Sequence, residues 1–86
     1  MALISVNIEN DLEGDVNVHV FDSFAGGNRE VDGSPFALAS HEASQPFDVN
    51  ASQEGLATIS YSCDGGPNKK NIQLRDGETA HIDARD

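Results

Sequence analysis

Two apolar stretches with a period of two sit on either side of an acidic turn. Ile4, Val6 and Ile8 alternate with Ser5, Asn7 and Glu9, and Val16, Val18 and Val20 alternate with Asn17, His19 and Phe21. Successive side chains of a strand point to opposite faces of a sheet, so this beat predicts two strands with one dry face each. The connector Asn10-Asp11-Leu12-Glu13-Gly14-Asp15 holds residues that favour turns, and the simplest expectation is an antiparallel hairpin.

The rest of the chain reads in the same way. Pro35 to Ala39 is expected as a short strand with Phe36 and Leu38 on one side, and Ser44 to Val49 as another with Phe47 and Val49 paired by parity. Pro46 would cost a ladder hydrogen bond in a central position, which suits an edge or a strand start. Leu56 to Cys63 is the cleanest strand of the second half: Ala57, Ile59, Tyr61 and Cys63 share one face, and its β-branched and aromatic content favours a strand over a helix. Asp64-Gly65-Gly66-Pro67-Asn68 is a turn, Asn71 to Leu74 a strand, Asp76-Gly77 a tight hairpin signal, and Thr79 to Ala84 the closing strand. Ser23 to Ser34, with Gly26-Gly27, Asn28 and Asp32-Gly33, is the longest irregular connection.

No segment sustains the repeat of three and four residues that a helix needs, and Ala37 to Ala43 is the only competitor. About seven short strands with turns between them are the pattern of a small antiparallel β-sandwich, immunoglobulin-like in architecture, with a small β-barrel as the alternative. The expected core is Ile4, Val6, Ile8, Val16, Val18, Val20, Phe36, Leu38, Phe47, Val49, Ala57, Ile59, Tyr61, Ile72, Leu74 and Ile82.

At 86 residues the chain has room for one domain, 1–86, with one modest core. Its single cysteine, Cys63, can close no internal disulfide, which suits a reducing compartment. The opening Met-Ala-Leu-Ile runs straight into polar residues with no basic segment, so no signal peptide is expected and the cytoplasm is the default location. No stretch approaches the roughly 20 apolar residues of a membrane-crossing helix. Asn50-Ala51-Ser52 fits the N-glycosylation pattern, a triplet that is common by chance.

The charge is unevenly placed. Residues 1–68 hold eleven of the fifteen acids and a single base, Arg29, and so account for the whole net charge of −10, while residues 69–86 balance four bases against four acids. Such a surface repels a phosphate backbone and an anionic membrane, so neither direct nucleic acid nor lipid is an expected partner. A protein partner with a basic surface is, because the field would speed encounter.

Four groups of residues bear on chemistry. Glu9, Asp11, Glu13 and Asp15 lie within seven residues, with Gly14 for a sharp bend, and a hard cation such as calcium is the ion such oxygens would take. The spacing does not follow the helix-loop-helix calcium rule, so a solvated turn is the favoured reading and no cofactor is expected. His19 and His81 fall on the outward parity of their strands, and with Asp83 they would form a zinc or acid-base site only if those strands were neighbours. His41 has no recognisable partner. No Gly-x-Ser-x-Gly elbow is present, Ser60 and Ser62 sit inside a strand, and Cys63 shares the inward parity of an inert core thiol with Asp64 raising its pKa further. Gly26-Gly27 and Gly65-Gly66 lack the spacing and the following helix of a phosphate cradle. An enzyme is not expected.

The aromatics are more telling. Phe21 falls on the polar parity of its strand, and Phe24 follows at the mouth of the long loop with Arg29, Glu30 and Asp32. Left exposed, the two rings form an apolar patch ringed by Asp22, Glu30 and Asp32, the look of a binding surface. Phe21-Asp22-Ser23-Phe24-Ala25-Gly26 faintly resembles the aromatic hairpin of βγ-crystallin domains, but the spacing is too short and the paired acid and serine calcium motif is absent, so no family is assigned. The reading is a non-enzymatic protein-interaction module, such as a small acidic inhibitor or adaptor, that binds through the 21–33 loop. The alternatives are a calcium- or carbohydrate-binding module, and a structural subunit that adds strands at an open edge, Ile4 to Ile8 or Thr79 to Ala84.

Overall fold

The computed structural model of the chain describes residues 2–24 and 29–83. Eight strands follow one another: β1 (Ala2–Asn10), β2 (Val16–Asp22), β3 (Arg29–Glu30), β4 (Phe36–Leu38), β5 (Phe47–Ala51), β6 (Ala57–Cys63), β7 (Asn68–Leu74) and β8 (Thr79–Ile82). They form one open sheet in the order β3-β2-β6-β5-β1-β8, with β4 also paired to β2 and β7 to β6. There is no helix among the described residues, and so none long and apolar enough to cross a membrane. The expected Gly26-Gly27 turn and the end of the last strand at Ala84 lie outside the described residues.

Two features correct the sequence reading of the architecture. The sheet has eight strands rather than about seven, because β3 forms inside the stretch expected to be irregular, with Glu30 opposite Phe21. It is mixed rather than antiparallel throughout: β1 and β8 run parallel, from Asn7 opposite Thr79 to Asn10 opposite Ile82.

The first hairpin does not form either. β1 pairs with β5 and β8, and β2 with β3, β4 and β6, so the acidic turn carries the chain away from β1. Asn10 explains the divergence. It continues the inward parity of Val6 and Ile8 and is fully buried. Its Nδ2 donates to the carbonyls of Gly14 (2.7 Å), Ala39 (3.1 Å) and Leu38 (3.3 Å), and its Oδ1 accepts from the Leu12 N–H (2.9 Å). The side chain thus ties the turn to the segment after β4, where a hairpin would have tied it back to β1. Asp76-Gly77 fails as a hairpin for a related reason. Asp76 Oδ1 accepts from the Ser5 N–H (2.8 Å) and the Gly77 N–H donates to the Ser5 carbonyl (2.8 Å), which hands the chain from β7, paired to β6, over to β1.

The expected core is largely the observed one. Val6, Ile8, Val18, Val20, Ala57, Ile59 and Ile82 are fully buried, joined by Val31, Ala51 and Ala80, while Ile4, Val16, Phe36 and Ile72 are only partly covered. Phe36 and Phe47 stack with ring centroids 5.4 Å apart. Pro46 immediately precedes β5, where its missing N–H costs no ladder bond.

Edges bear on assembly. Ile4 to Ile8 is not open: β5 covers β1 from Ala2 to Val6, Ser44 bonds both ways with Ile8, and β8 and its preceding turn cover the other side. β8 and β7 each have one paired neighbour. The longer, β7, carries Lys69 and Lys70 beside an irregularity opposite Ser60, two devices that blunt an edge against further pairing.

Candidate functional site

A hollow lies on the outer face of β2, β6 and β7. Parity sends Phe21, Ser60 and Ser62 to this face, and the antiparallel register sets Phe21 directly opposite Ser60. The register of β6 with β7 slips by one residue between Ile59 and Tyr61, so two residues of β7 oppose Ser60. Asn71 absorbs the extra residue at φ +60°, a left-handed conformation that asparagine tolerates better than most residues. The slip opens a hollow of about 660 Å³ lined by Phe21, Ser23, Ser60, Tyr61, Ser62, Asn68, Lys70 and Asn71. Serine and asparagine side chains supply most of its walls, with Phe21, Tyr61 and Lys70.

Of the residues singled out from the sequence, Phe21 lines this hollow and Arg29, Glu30 and Asp32 line another. Phe21 is half-buried and Phe24 is 37% exposed, one of two large apolar side chains at the surface, with Leu3, among the described residues. Arg29, Glu30 and Asp32 are exposed, and Arg29, Glu30 and Asp32 line a second, smaller hollow with Leu3, Asp48 and Asn50. Asp22 lines that second hollow as well, but it is not the exposed acid the sequence suggests. It is buried at the inward parity of β2, where Oδ2 accepts from the Asn50 N–H (2.9 Å) and Nδ2 (3.0 Å), and Oδ1 from the Phe24 N–H (3.2 Å). That geometry makes it a tie between β2 and β5. It also commits the Asn50 amide of the glycosylation triplet to an internal bond.

His19 is held at both ring nitrogens. Nδ1 lies 2.9 Å from Glu30 Oε2 on β3 and Nε2 3.3 Å from Asp64 Oδ1 in the β6–β7 turn. Glu30 Oε2 also accepts from Ser34 Oγ (2.7 Å), and Asp64 Oδ2 from Asn17 Nδ2 (2.9 Å). The Glu30 hydrogen bond is the main cause that lifts the imidazole above its usual range, with Asp64 adding to it. The Ser34 hydroxyl chiefly, and His19 after it, hold the Glu30 carboxyl low. Ser34 donates to the carboxylate and not to the imidazole, so the trio is an ion-pair clamp and lacks the serine–imidazole bond of an activated nucleophile.

A pH dependence follows. His19, raised above 6.5, adds stability that is full below that value and is lost as pH rises through its folded-state titration. Glu30, lowered from 4.5, adds stability that is present above that value and is lost as pH falls through its own. The clamp is therefore strongest in weak acid. NMR titration of the imidazole should place His19 above 6.5, and Glu30→Gln should bring it down. A titration at or below that value in the unsubstituted protein, or one that Glu30→Gln leaves in place, would contradict the assignment.

The acidic turn divides. Glu9 and Asp11 come together with His81, which the parallel register sets beside Glu9. Glu13 turns instead to His41, at 3.7 Å, and Asp15 is exposed. His19 and His81 do not meet, since β2 and β8 are separated in the sheet order and each ring has its own carboxylates. Cys63 is buried as its parity requires, and burial first, then Asp64, pushes its thiol upward. That is an unreactive setting for a thiol.

No family model matches the chain, and no similar curated protein or solved structure was found. The hollow on β2, β6 and β7 was missed from the sequence. Its one signal is Asn71 after Lys69-Lys70, a residue type suited to a left-handed bulge inside a strand.

Proposed function

We propose that the chain is a non-enzymatic protein-interaction module that binds a partner with a basic surface through Phe21, Phe24, Arg29, Glu30 and Asp32. The observation that carries this reading is an exposed Phe24 three residues after half-buried Phe21, whose ring lines a hollow with mostly polar walls. Glu30 and Asp64, both paired with His19 two residues before Phe21, and the net charge of −10, suit a positively charged partner and would speed encounter. A small acidic inhibitor or adaptor is one form of such a module. Its architecture we read as an immunoglobulin-like sandwich, in which β4-β2-β6-β7 folds over β5-β1-β8. Supporting this, β5 and β6 share only the pair Ala51 and Ala57, and Asp22 reaches Asn50 across that divide.

Pull-down with tagged protein, compared with the Phe21→Ala/Phe24→Ala double variant, tests the reading. A partner recovered by the wild type should fall at least about tenfold with the double variant, as expected for loss of two aromatic anchors, and should weaken in high salt. Equal recovery by both proteins would remove this face from consideration.

The hydroxyls and amides of Ser60, Ser62, Asn68 and Asn71 around the Phe21 ring support a second reading, a carbohydrate site. Saturable shifts of the Ser60 and Asn71 amides on addition of oligosaccharides, without a protein partner, would favour it.

A further inference from the structure

Two histidines each have two carboxylates, yet the two arrangements differ in kind. Around His19 the acids take opposite ring nitrogens, so no single point is close to one nitrogen and both acids. Around His81 both acids face the same nitrogen: Nδ1 lies 2.9 Å from Asp11 Oδ2 and 3.5 Å from Glu9 Oε1. One nitrogen can share one proton along one line, so the second carboxylate gains little from it.

We propose that Glu9, Asp11 and His81 form a binding site for a divalent first-row transition ion of the zinc class. The three ligand atoms all lie within 4.8 Å of one another. Zinc bonds of about 2.0–2.2 Å in tetrahedral geometry place neighbouring ligand atoms roughly 3.3 Å apart, between the two distances that Nδ1 makes. The positions are fixed by the fold. Glu9 and His81 sit opposite each other in the parallel ladder, the Asp11 N–H donates to the Ile82 carbonyl (2.9 Å), and Tyr61 OH donates to the His81 carbonyl at 3.5 Å. An imidazole with two carboxylates selects zinc, nickel or copper over calcium and magnesium, which take oxygen donors in larger number. All three side chains reach the surface, so an ion has an entry path and keeps water in its remaining positions.

The test is titration of tag-free protein with zinc, followed by calorimetry and by the imidazole nitrogen resonances. The wild type should take up one zinc ion per chain, with the His81 Nδ1 signal moving on saturation and the His19 signals staying in place. His81→Asn should weaken binding by about tenfold or more, whereas His19→Asn and Glu13→Gln/Asp15→Asn should leave it unchanged. Millimolar calcium should not displace the zinc. Absence of saturable zinc binding, equal binding by His81→Asn, a His81 signal unmoved at saturation, or displacement by calcium would each overturn the proposal.

Discussion

Replacing Ile59 with alanine is expected to cost about 2–5 kcal/mol, the usual loss for a fully buried aliphatic side chain cut back to a methyl group. Ile59 is fully buried in β6, between Asp22 of β2 and Ile72 of β7. The strand is paired on both sides, by β2 and β7, which leaves little freedom to collapse into the void. Against a total of roughly 5 kcal/mol for a domain of this size, much of the population should unfold. Urea unfolding followed by circular dichroism measures it, with Thr58→Ala on the opposite parity as the comparison, expected to change stability by less than about 1 kcal/mol. A loss for Ile59→Ala no greater than that of Thr58→Ala would show that β6 is not central.

The second large effect is expected at Asn10, where Asn10→Asp keeps the shape and the acceptor but removes the amide donor. The carbonyls of Gly14, Leu38 and Ala39 would then face a buried carboxylate, with no side-chain donor between them. The Ala39 carbonyl keeps the Glu42 N–H (3.0 Å), but a lost donor to a buried acceptor costs about 1–3 kcal/mol and a buried charge costs more, so a loss of about 3 kcal/mol or more is expected at neutral pH. The sign of its pH dependence is set by burial, which favours the protonated carboxyl. Protonation also restores a donor, so the gap to wild type should shrink as pH falls. Melting curves at neutral and acid pH measure this; a gap that is small at neutral pH, or that widens in acid, would show that the corner does not depend on this side chain.

How much the sequence told depended on the range of the interaction. Alternation is local, and it located β1, β2, β4, β6 and most of the core correctly, down to the inward Cys63 and the outward Phe21. Pairing is not local. The turn residues after Asn10 and at Asp76-Gly77 suggested hairpins, but turn composition says only that the chain bends, and distant bonds to Ala39 and Ser5 decided where it went. The same limit hid the site. Glu9, Asp11 and His81 are separated by most of the chain, and only the parallel β1–β8 ladder joins them. Grouping the acids by their closeness in sequence joined Glu13 and Asp15 to them, where the fold sends Glu13 to His41. Asp22 was read as surface charge because carboxylates are seldom buried, although its parity matched Val18 and Val20 and two Asn50 donors offset its burial.

The proposed function puts the partner's contact on the outer face around Phe21. The most direct measurement maps the amide resonances of the labelled protein as the partner recovered by pull-down is added. Shifts should cluster at residues 21–24, 29–32 and 60–62 and spare the β1–β8 ladder at Glu9 and His81. A map centred on Glu9 and His81, or one that leaves Phe21, Phe24 and Ser60 unmoved at saturation, would contradict it.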